Sequence, residues 1–261
     1  MHMMQMVGII TSLFFISLVI MCFFREKLES PLVNNLFIIA NLFFFFCWNY
    51  AAFERGWLED GFMTLENISP FICTIIPLTV FMSDKVKSYA YPAIAYLGFG
   101  MFCAMMISPE HEYLFNYNQQ ATFIHVSEAA CHMGMALYGF YLVLSGKVIV
   151  NINSWIKSTV FMFASIFFGT FLNLCFHTKN FGMDMYGNYS IYFIDIFGSF
   201  EITFIAYLLG VFAVLTFGLL TSWFVEYISR KKHPTLLSST DKTDFTVTTD
   251  LPTNQTADIE K

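Results

Sequence analysis

Charge is what this chain has least of. Only 12% of its 261 residues are Asp, Glu, Lys or Arg, against about 25% in a soluble domain. The few cations are scattered rather than gathered into a stripe, which excludes a nucleic-acid surface. Cysteine is sparse as well. Cys22, Cys47, Cys73, Cys103, Cys131 and Cys175 lie in or beside apolar stretches with no CxxC pair, so neither a disulfide framework nor a zinc knuckle is expected. There is no internal repeat. The first five residues hold no Lys or Arg, and Ile9 to Phe24 has no small-residue cleavage site, so a removable signal peptide is not expected. The last apolar stretch has no lysine for a retinal Schiff base. The third is followed by SDKVK rather than a DRY-like triplet, which weakens a receptor reading.

What the chain does have is apolar length. It is 57% hydrophobic, with 33 Phe and 15 Met. About 20 apolar residues cross a bilayer, and seven stretches qualify or nearly so: Met6–Phe24, Val33–Phe53, Ile68–Met82, Ser88–Ile107, Thr122–Ser145, Ser158–His177 and Phe200–Tyr227. The third is short and carries Pro70 and Pro77, which remove helical hydrogen bonds and are tolerated where the freed backbone faces protein or a cavity. The expected fold is therefore an all-α integral membrane bundle of seven transmembrane helices over residues 1–230. A Ser/Thr- and Asp-rich, solvated tail is expected over 231–261.

Orientation follows from the cations. Arg25, Lys27, Lys85, Lys87, Lys147, Lys157, Arg230, Lys231 and Lys232 fall on one side of this topology, and only Arg55 and Lys179 on the other. The positive-inside rule then puts the N-terminus lumenal or extracellular and the C-terminus cytosolic. Asn188-Tyr189-Ser190 is a glycosylation sequon in a loop expected on the lumenal side.

The fifth stretch organises the rest. His125, Glu128 and His132 fall within about 60° on one helix face, and each charge at mid-membrane costs roughly 2.5–3.5 kcal/mol. Cys73, Asn173, His177, Glu201 and Asn49 belong to the same lumenal layer, while the cytosolic half offers almost nothing comparable. Such a layer fits a cavity open to the lumen or outer leaflet. Cys73 beside broken helix is a credible nucleophile and His132 a credible base, with Glu128 or Asn173 to orient or polarise. A structural hydrogen-bond network between helices explains the same residues without catalysis. His125, Glu128 and His132 also suggest a metal, but the two histidines stand two turns apart on one helix, so a metal using one of those histidines with His177 and Glu201 is the weaker option. No metal or cofactor is implied.

Three stretches carry a family resemblance: NISPFICTII at the third span, ISPE followed by FIHVSEAACHMGMALYGFYLVLSGK at the fifth, and FLNLCFHTKNF closing the sixth. Over roughly residues 30–230 the chain resembles the YwaF-like family that includes transmembrane protein 164, a group of membrane acyltransferases. The resemblance implies transfer of a fatty acyl group between phospholipids; a multi-pass protein of the endoplasmic reticulum or plasma membrane is expected. Cys73 would be the nucleophile, His132 the assisting histidine, and Asn173 and Asn180 the paired asparagines.

Overall fold

The structure, a computed structural model, describes residues 1–54, 68–107, 119–176 and 198–232. Regular structure among them is helical: α1 (Met3–Phe23), α2 (Pro31–Glu54), α3 (Ile68–Leu78), α4 (Asp84–Ile107), α5 (Phe123–Leu144), α6 (Ile152–Phe176) and α7 (Phe200–Lys232). A 3-10 turn at Arg25–Lys27 follows α1. Five helices, α1, α2, α4, α6 and α7, are long and apolar enough to cross a membrane. Their outward faces carry Ile9, Phe15 and Val19 on α1, Leu36, Phe43 and Phe46 on α2, and Leu209, Leu220 and Trp223 on α7, all exposed. Such a continuous apolar exterior suits lipid, not water.

The other two helices, α3 and α5, are not in that set. α3 has 11 residues, a length of about 16 Å, roughly half a bilayer core. It stops at Leu78 rather than Met82 because Pro77 breaks the ladder and the Thr79 hydroxyl takes up the Ile76 carbonyl at 2.6 Å. α5 has 22 residues, enough length, but its histidines and glutamate dilute its apolar character. It does not need a lipid-facing surface: every residue from Gly134 to Leu144 is buried. α6 begins at Ile152, six residues before the expected Ser158, because Asn151 caps it. The Asn151 side chain accepts from Ser154 N at 2.8 Å, and Asn151 N donates back to Ser154 Oγ at 3.2 Å. α7 runs through Lys232, beyond the expected Tyr227.

α5 is the centre, packed against α1, α2, α3, α4 and α7. Two of its neighbours run in the opposite sense to α5. Gly139 lies on Ala95 while Met135 lies on Gly98, so α4 runs against α5. Asn34 meets Tyr138 while Trp48 meets His132, so α2 does too. At one end Met3 N donates to Gln119 O at 2.9 Å and Ala121 N to Met1 O at 3.0 Å, holding the start of α1 beside the start of α5. At the other end Arg25 Nε donates to Leu144 O at 3.0 Å and its Nη1 to Ser229 Oγ at 3.4 Å, so α1, α5 and α7 finish together. Small residues let these helices touch. A Cβ on Gly98 would stand 2.7 Å from Met135 O, and one on Gly218 would run into the Tyr96 carbonyl. Close backbone approach through glycine is how helices associate where lipid is as apolar as leucine.

Candidate active site

Cys73 sits at the middle of α3, between Pro70 and Pro77. Proline has no amide hydrogen, so residue 77 cannot donate to the carbonyl of residue 73, one turn back. The Thr74 hydroxyl bonds to Pro70 O at 2.9 Å. The helix around the cysteine is thus held partly by side chains. Its apolar face, Ile72, Ile75 and Ile76, turns inward with Cys73, which is 1% exposed. The thiol meets α5: Cys73 Sγ and Cys131 Sγ are 3.2 Å apart, within S–H···S hydrogen-bonding distance.

His132 is the next residue along α5 and is 3% exposed. Its ring lies 5.4 Å from that of Trp48 on α2, tilted by 58°. His132 Nδ1 is 2.9 Å from Glu128 O. A carbonyl only accepts, so Nδ1 carries the hydrogen and, in the neutral ring, Nε2 carries the lone pair. That is the tautomer a general base needs. Glu128 is buried on the same face, one turn away.

The remaining expected residues divide. His125 belongs to the start of its own helix: Thr122 N donates to His125 Nδ1 at 3.1 Å, and the Thr122 hydroxyl lies 2.9 Å from the same nitrogen. A capping box is a structural duty, and a half-buried ring so placed stands about one turn nearer the helix end than Glu128. Glu201 is exposed on the first turn of α7 and does not join the buried group. Asn49 is buried on α2 and donates to Phe45 O at 3.0 Å. Asn173 lies on α6. Asn180, His177 and Asn188 lie outside the described residues. Among the described residues, no three His, Cys, Asp or Glu side chains converge as metal ligands would.

Three features were not foreseen. Cys131 is the first, although its place beside His132 was a signal. Asn41 is the second: it is 1% exposed on α2, its amide donates to Phe37 O at 2.8 Å, and its carbonyl oxygen has no hydrogen-bond partner. That oxygen faces Gly134, where an added Cβ would come within 3.1 Å. The third corrects the expectation that the far half of the bundle is nearly free of buried polar groups. Tyr138 donates to Asn34 Oδ1 at 3.3 Å, Tyr96 and Ser154 share a 2.6 Å bond, and buried Glu226 pairs with Arg230 at 2.6 Å. Burial lowers the Arg25 guanidinium from its ordinary value, and the Glu226 carboxylate acts the other way.

Chemically, the α3–α5 contact offers a soft nucleophile at Cys73, which meets Cys131, while the His132 imidazole, on the next residue and so about 100° round α5, meets Trp48 of α2, all inside a bundle with a lipid-facing exterior. Comparison with protein families, with curated proteins and with solved structures finds no match to this chain.

Proposed function

We propose that this protein is a membrane-embedded acyltransferase that moves a fatty acyl group onto a lysophospholipid through Cys73 and His132. All seven helices belong to one transmembrane bundle in this reading, with α3 a broken span, the N-terminus lumenal or extracellular and the tail cytosolic. One observation carries it: the proline-bounded turn of α3 presents the Cys73 thiol to α5 at the residue adjoining His132, whose Nδ1 hydrogen goes to the Glu128 carbonyl. The resemblance of NISPFICTII and of the His132 segment to the YwaF-like family points the same way.

In the proposed cycle His132 takes the thiol proton and the Cys73 sulfur attacks the ester carbonyl of a phospholipid. The carbon–oxygen bond breaks, and the departing lysolipid alkoxide takes that proton. A second lysolipid then gives its hydroxyl proton to His132 and attacks the thioester, releasing the thiolate. With water as acceptor the same site is a lipase. Acyl exchange between a labelled phospholipid and a lysophospholipid by purified protein tests this. Cys73→Ala should abolish transfer. His132→Ala should lower it about 10²–10⁴-fold, the usual worth of a general base. Full activity in Cys73→Ala removes the nucleophile. An active enzyme that loses turnover to a chelator favours a metal-dependent lipid hydrolase instead.

A further inference from the structure

Cys131 has no part in that cycle, yet its sulfur is the hydrogen-bonding neighbour of Cys73. Cys131 is fully buried and Cys73 nearly so. They come from helices 58 residues apart in sequence. The 3.2 Å separation is roughly 1.1 Å more than a covalent S–S bond of ~2.05 Å. α3 is the element best able to close that gap. It is the shortest helix described, bounded by prolines, and Pro77 cannot donate to the Cys73 carbonyl. A paired thiol of this kind is a two-electron donor. Its surroundings are the α2–α3–α5 packing with lipid outside, so the oxidant must be small or lipid-soluble.

We propose that Cys73 and Cys131 form a redox-active dithiol that reduces a hydroperoxide and closes into a disulfide joining α3 to α5. In the first step one sulfur attacks the peroxide. An S–O bond forms, the O–O bond breaks, and the alcohol (or water, from hydrogen peroxide) leaves with the thiol proton, giving a sulfenic acid. In the second step the neighbouring sulfur attacks that sulfenic sulfur. The S–S bond forms, the S–O bond breaks, and water leaves. Two thiols and one hydroperoxide thus become one disulfide, one alcohol and one water, with two electrons passing from sulfur to oxygen. A dithiol reductant restores the pair. The inference stands on the sulfur contact and does not need acyl transfer. If both hold, the disulfide also withdraws the Cys73 nucleophile.

The test uses the full chain in lipid nanodiscs, reduced and then freed of reductant. Cumene hydroperoxide is added to one arm and hydrogen peroxide to another. Remaining thiols are alkylated and the peptides are analysed by mass. The wild type should yield a peptide linking Cys73 to Cys131, with one cumyl alcohol per chain in the organic-peroxide arm, and dithiothreitol should reverse the link. Linking in one arm only identifies the peroxide as lipid-soluble or aqueous. Cys47→Ser should keep the link, since Cys47 is the third thiol near Cys131. Cys73→Ser and Cys131→Ser should each leave a single sulfenic acid that dimedone traps on the surviving thiol. Wild-type protein in which both thiols stay alkylatable in both arms, or in which Cys131 links to Cys47 instead, overturns the proposal. So does an undiminished alcohol yield from the monodisperse Cys73→Ser/Cys131→Ser double variant.

Discussion

His125 and His132 stand seven positions apart on one helix, and their Nδ1 atoms do opposite things. At His125 the nitrogen accepts from the Thr122 amide, and at His132 it donates to the Glu128 carbonyl. The two neutral rings are therefore opposite tautomers. The sequence shows both on one face and cannot show this difference, because periodicity reports direction and not partners. What it does show, in hindsight, is that His125 is the third residue after Thr122, the place where a side chain reaches back to a cap. His125→Ala should cost about 1 kcal/mol through the lost cap, read as a lower thermal midpoint in detergent. An unchanged midpoint would mean that the cap does not hold α5. Glu201 was misplaced for a related reason: a span's first residue can face water as easily as the bundle. Cys131 and Asn41 are visible in the sequence only as small polar or thiol residues in apolar runs, and their partners come from helices far along the chain.

The helices themselves were legible wherever their apolar runs are long enough to cross a membrane. α1, α2, α4, α6 and α7 all coincide with expected stretches. α5 coincides with its expected stretch as well, while α3 ends four residues early, because an enclosed helix is free to be short. What holds these elements together is contact between backbones. Gly98 meets the Met135 carbonyl and Gly218 the Tyr96 carbonyl, and neither carbonyl can rotate away. Gly98→Ala and Gly218→Ala should each destabilise the protein by about 1–3 kcal/mol, the usual cost of overpacking. Gly8, with nothing within 4 Å of its added Cβ, serves as the control: Gly8→Ala should be neutral or gain up to ~1 kcal/mol from helix propensity. Thermal unfolding in one detergent compares all three. Equal effects at Gly8 and Gly98 would contradict the packing described.

At the scale of the molecule, the described helices pack into one bundle around α5, which carries one polar group in its first half and another at its C-terminal end. In the first half of α5 lie Glu128, Cys131 and His132, with Cys73 against Cys131. Near its end, Arg25 joins α1, the Leu144 carbonyl and Ser229. That second group was not legible, because it links residues 119 and 204 positions apart and no local pattern announces such pairs. The cation bias read from the sequence sets the proposed orientation, and it has a direct check. In sealed, cytosol-out microsomes a protease-cleavable tag on the N-terminus should be protected from added protease, and one placed after Lys261 should be cut. The reverse pattern would put the Cys73 layer on the cytosolic side.

The measurement closest to the central claim is the mass of the protein itself. Purified protein incubated with a phospholipid donor and no acceptor should gain one acyl group on Cys73, labile to neutral hydroxylamine as a thioester is, and lose it when lysophospholipid is added. Acyl transfer that proceeds with no such adduct, and equally fast in Cys73→Ala, would contradict the account.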